Sequence, residues 1–148
     1  MLVAALAFPW TASPASVRMT DTEESFFRAV NAVRAQYALP AVRADAELQK
    51  AARAHTADML ARGYFAHGDF NRRLWRFGAT GPEVGEDLGW SVDDGSATQR
   101  IVRMWLASSP HRAVLLRRGF TRIGLGVARG PFKGRSSCVV VTADFEGT

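Results

Sequence analysis

An α+β layered domain is the fold class predicted by this sequence, and three observations predict it. Helically spaced apolar residues run from about residue 21 to 117, interrupted by an extended stretch near 83–90. Two apolar segments with strand character, residues 123–127 and 138–141, gather at the end of the chain. No internal repeat and no linker divides the 148 residues, which suffice for one domain with its own hydrophobic core. Helices first and strands late favour separate helical and sheet layers.

The elements follow in order. Thr20-Asp21-Thr22-Glu23-Glu24 carries overlapping capping-box signals, and Phe26, Val30, Val33 and Tyr37 continue at helical spacing until Pro40. Asp45 opens a second helix with Leu48, Ala52, His55 and Met59 on one stripe and Gly63 closing it. A short third helix covers residues 71–77 before Gly78. After Gly81-Pro82, residues 83–90 read as a strand. Asp93 to Ser96 starts a helix whose buried face is Ile101, Val102, Trp105 and Leu106. Ser109 as N-cap and Pro110 as first helical residue start another, through about Arg117. Ile123, Leu125 and Val127 alternate with glycines, and the segment 130–134 turns the chain into the apolar strand at Cys138, an antiparallel hairpin.

Residues 1–20 differ in character. An apolar run from Leu2 to Phe8 precedes Pro9 and small residues, with Ser13 and Ala15 suited to signal-peptidase cleavage before Ser16. No basic residue precedes the run, so it reads as a shortened signal segment ahead of a domain at 21–148. The run is too short to span a bilayer, and a secreted or cell-envelope protein, monomeric and without a transmembrane segment, is expected. Cys138 is the only cysteine, so no internal disulfide is possible. The net charge of +5 comes largely from 17 scattered arginines with no recognition motif, which argues against nucleic acid as a partner.

Three short strings carry the candidate chemistry: Phe65-Ala66-His67, Gly85-Glu86-Asp87-Leu88 and Ser108-Ser109-Pro110-His111-Arg112. His67 lies between two glycines just past the second helix, where it is reachable. Glu86 is a carboxylate in an otherwise apolar strand, costly to bury without a partner such as an arginine. His111 falls in the first turn of a helix, where the helix dipole favours neutral imidazole. His55, on an apolar stripe, reads as packing. Ser108 and Ser109 lack the strained turn of a serine nucleophile.

Taken with Asn31-x-x-Arg34, Leu48-x-x-x-Ala52, Arg73 to Gly78, Trp105, Ile123 to Val127 and Asp144-Phe145, these strings resemble the CAP superfamily of cysteine-rich secretory, antigen 5 and pathogenesis-related type-one proteins. The resemblance is to its compact bacterial branch and covers about residues 21–145. It implies a three-layer α-β-α sandwich with a central antiparallel sheet, and a cleft in which His67, Glu86 and His111 hold Zn²⁺ or another divalent cation. Asp87 stands where the pattern has asparagine, Val114 where the bacterial pattern has asparagine, and Ser108 where many members carry a second glutamate.

The expected function is a secreted binding module whose cleft takes a small or lipid-like ligand, with a divalent metal as a further occupant. One alternative is a metal-assisted hydrolase of peptides or cell-wall polymer, with Glu86 as general base on a bound water. Another is a structural domain whose partner is a cell-wall component.

Overall fold

The computed structural model describes residues 17–147, so the leader reading lies largely outside the described residues. The order is α1 (Asp21–Gln36), β1 (Arg43–Ala44), α2 (Ala46–Arg62), α3 (Phe70–Arg76), β2 (Val84–Val92), α4 (Ala97–Ala107), α5 (Ser109–Leu115), β3 (Phe120–Phe132) and β4 (Arg135–Gly147). The strands form one sheet in the order β1-β3-β4-β2, so β2 is an edge. β2, β3 and β4 pair antiparallel, while the two-residue β1 adds a parallel pairing to β3 and makes the sheet mixed.

Local chemistry explains the helix ends. Thr20 accepts from the Glu23 amide (3.3 Å) and the Glu23 carboxylate accepts from the Thr20 amide (2.8 Å), a complete capping box. Asp45 caps α2 through the Glu47 and Leu48 amides, and Gly63 ends it at φ 67°, a conformation cheap only without a Cβ.

Two corrections concern boundaries. Ser108, not Ser109, is the N-cap of α5, so Pro110 is the second helical residue and His111 the third. Ser108 also ends α4, and its side chain makes no capping bond. The hairpin turn is only Lys133-Gly134, both at positive φ (49° and 78°), with Phe132 buried rather than looped out. Such a tight turn matches the twist of paired strands and lets them lengthen around it.

The sheet is covered on both faces. β4 alternates Val139, Val141, Ala143 and Phe145 into a core shared with Phe26 and Val30 of α1, Ile101 and Trp105 of α4, and Leu115 of α5. Its other face carries Cys138, Val140, Thr142 and Asp144. There Cys138 and Val140 pack with Met59 of α2, and the Thr56 hydroxyl bonds the Gly126 carbonyl (2.9 Å) and the Thr142 hydroxyl (2.8 Å). The result is the α-β-α sandwich.

Two buried polar side chains tie the layers together. Arg34 gives hydrogen bonds to the carbonyls of Pro40, Leu115, Arg117 and Phe120, at 3.0 to 3.1 Å, which fixes the end of α5. Trp105 packs at a tilt against Phe26, with ring centroids 6.0 Å apart, and donates its indole N–H to the Leu88 carbonyl of β2 at 2.8 Å. Trp105→Phe is expected to cost about 1–3 kcal/mol, because it leaves that buried carbonyl without this donor. Urea unfolding measures it, and a change below about 0.5 kcal/mol would show that the bond contributes nothing net.

Candidate functional site

The site lies at the β2 edge, where the two helical layers meet across the end of the sheet. A cleft of about 460 Å³ is lined by His67, Gly68 and Phe70 from the α2–α3 side, by residues 84–87 of β2, and by Pro110, His111 and Val114 of α5. The sequence-predicted residues His67, Glu86 and His111 therefore open on one cleft.

His67 is held through its backbone on both sides. The buried His55 Nε2 donates to the Ala66 carbonyl (3.0 Å), and Arg73 Nη1 donates to the His67 carbonyl (3.2 Å). Gly68 then turns at φ 61°, and Asp69 caps α3 through the Arg72 amide at 3.1 Å. The His67 ring stays about half exposed, with Nδ1 2.7 Å from Glu86 Oε1. Beside a carboxylate Nδ1 carries the proton and donates, so the lone pair of the neutral ring sits on Nε2.

Glu86 is buried and doubly engaged. Its Oε1 accepts from His67, and its Oε2 forms a close ion pair with Arg73 Nη2. Arg73 Nη2 also lies 4.0 Å from Asp144, which pairs with Glu86 across β2 and β4. Sequence reasoning did not single out Arg73 or Asp144 as site residues. Both fall in strings that carry the family resemblance, but nothing in those strings gives either a site role: only the packing of α3 brings Arg73 to Glu86, and only strand register sets Asp144 beside it.

The electrostatics follow from burial. Asp144 is fully buried with neither oxygen hydrogen-bonded, and burial, then the Glu86 charge, raises its pKa well above the usual carboxylate range. Asp87, on the opposite face of β2, is also fully buried and unpaired; burial, then Glu86, pushes its pKa up to about 8. His111 is shifted downward by burial and by nearby His67, which favours the neutral imidazole. Among the described residues no three His, Cys, Asp or Glu side chains stand together in a way that could hold a metal ion. The Glu86 oxygens are already committed to His67 and Arg73, and His67 and His111 remain as the cleft's available imidazoles.

These features define the class as a three-layer α-β-α domain with two histidines on a sheet-edge cleft. The Cysteine-rich secretory protein family (CAP) model matches residues 27–145, and the chain belongs to that family. Two relatives from Bacillus subtilis (strain 168) are similar. The uncharacterized membrane protein YlbC is 30% identical over 115 residues, 74% of this chain and 32% of YlbC. The uncharacterized protein YkwD is 31% identical over 122 residues, 78% of this chain and 45% of YkwD. The chain thus spans less than half the length of these relatives. Among solved structures, an extracellular protein containing a SCP domain from Bacillus anthracis matches with a TM-score of 0.71 at 24% identity, covering 90% of this chain and 45% of that one. Among the described residues no helix is long and apolar enough to cross a membrane.

Proposed function

We propose that this protein is an exported CAP-type binding module whose cleft takes a small, lipid-like ligand without covalent chemistry. The observation that carries this reading is the lining of the cleft: Phe70, Val84, Pro110 and Val114 make an apolar wall, with His67 and His111 supplying polar groups. Apolar walls with a few placed polar groups suit a mainly hydrophobic guest anchored at one end. Export accords with the apolar leader and with the extracellular Bacillus anthracis protein that shares the fold. Hydrolysis would need Glu86 free to take a proton from water, whereas both its oxygens already accept from His67 and Arg73.

A dansyl-labelled fatty acid titrated into the protein tests the reading. Val114→Lys extends a charged side chain into the cleft while its stem can lie along the wall. Binding should weaken by at least about tenfold, a loss of about 1.4 kcal/mol, with thermal unfolding little changed. Unchanged affinity in that variant would remove the cleft as the binding site. Turnover of casein that disappears in Glu86→Gln would replace the binding module by a hydrolase.

A further inference from the structure

A partly buried arginine stands behind the cleft, against Glu86. Arg73 reaches from α3 to three features at once: the Glu86 carboxylate, the neighbouring Asp144 and the His67 carbonyl. Its side chain is 15% exposed, and its Nε is buried without a partner. A guanidinium does not lose its proton in a protein, so this positive charge is permanent. A dication drawn to Glu86 would meet a fixed like charge and two occupied carboxylate oxygens.

We propose that Arg73 is a resident cation that takes the place of a metal ion beside Glu86, so that Glu86 positions His67 and does not itself ligate. On this arrangement the Glu86 carboxylate fixes the His67 ring through Nδ1, as an outer-sphere carboxylate does for a ligating histidine. His67 Nε2 and His111 are then the donors left in the cleft. Two imidazoles without a third protein ligand make a weak site that water must complete. Glu86 is a positioning residue here, and Arg73 sets the site's selectivity against metals. The proposal is independent of which guest fills the apolar part of the cleft.

Calorimetry with ZnCl₂ alone tests it, with thermal unfolding recorded for every variant. The wild-type protein should bind Zn²⁺ weakly or undetectably, and Glu86→Gln should leave that behaviour within about threefold, because the glutamine oxygen still accepts from His67 Nδ1. Arg73→Met should tighten Zn²⁺ binding by at least about tenfold, in the range seen when the surroundings of metal ligands change. Arg73→Lys, which retains a cation, should stay weak. The gain should vanish in the double variant Arg73→Met, Glu86→Gln, which identifies the freed carboxylate as the new ligand. A structural role alone would make Arg73→Met bind less, not more. Tight wild-type binding abolished by Glu86→Gln, or an Arg73→Met variant no tighter than wild type, would overturn the proposal. Should Arg73→Met fail to fold, Arg73→Gln carries the same expectation.

Discussion

Asp87→Asn is expected to stabilise the protein by about 2–5 kcal/mol at about pH 8 and by almost nothing at about pH 3. The carboxyl is fully buried, neither oxygen has a hydrogen-bond partner, and Glu86 is its neighbour in β2. Burial, then that neighbouring charge, raises its pKa from 3.8 to about 8. Between those values the unfolded chain gives up the proton and the folded chain retains it. Unfolding therefore releases a proton, and stability falls as pH rises through the window, levelling above about 8. Each unit of difference corresponds to about 1.4 kcal/mol, so the whole span sets an upper bound of about 6 kcal/mol, reduced by local relaxation. Asparagine does not titrate, so the penalty should disappear with it. Below the unfolded value both side chains are neutral and the difference closes. Asp144 is the same in both proteins, so the comparison isolates Asp87. Urea unfolding of wild type and variant at several pH values measures the gap; a difference that does not grow with pH would show that Asp87 is ionised in the fold. Asparagine is also what the family pattern carries after the glutamate, so the natural residue here is the costly one.

Gly124→Ala should lower stability by at least about 3 kcal/mol, at or beyond the top of the usual range for overpacking. A Cβ at this position would lie 2.0 Å from the Leu48 carbonyl carbon and 2.2 Å from the Gln49 nitrogen, both backbone atoms of α2. Gly126 meets α2 in the same way, 2.3 Å from the Ala52 carbonyl carbon. No rotamer change relieves a contact with helix backbone, so α2 must rise off the sheet. That would loosen the Thr56–Thr142 bond and the packing of Leu48 and Met59. It would also move His55, whose ring holds the loop before His67, so a weaker cleft should accompany the lost stability. Gly95→Ala is the control: it sits at φ 82° with open space around it and should cost only about 1–2 kcal/mol of backbone strain. If the two variants prove equally stable, the close approach of α2 to β3 is wrong.

The same two glycines show where sequence reasoning stops. Their alternation with Ile123, Leu125 and Val127 identifies a strand, but nothing in it says that a helix backbone rests on the bare face. Local signals fared better. The Thr20–Glu23 capping box fixes the start of α1, and the Asp45 cap and the Gly63 stop fix both ends of α2, within a residue, because each signal acts on backbone within four positions of itself; the end of α1 falls at Gln36, before the Pro40 stop. Where local signals competed, the neighbouring element decided: Ser108 and Ser109 are equally good caps by type, and the end of α4 selected Ser108. The two-residue β1 escaped notice because a strand that short has no period of its own and exists through pairing with β3.

His67, Glu86 and His111 were legible as single residues out of place: an imidazole in a glycine-flanked loop, a carboxylate in an apolar strand, an imidazole at a helix start. By itself the sequence determined these three positions, the helical and strand segments and the family, since all depend on residue type and order along the chain. Only the tertiary structure decided that the three open on one cleft, that Arg73 and no other arginine neutralises Glu86, and that Asp144 stands beside it. The reason is physical: a buried charge is settled by what lies within a few ångströms, and strand register and helix packing bring those neighbours from 13 and 58 positions away in the chain.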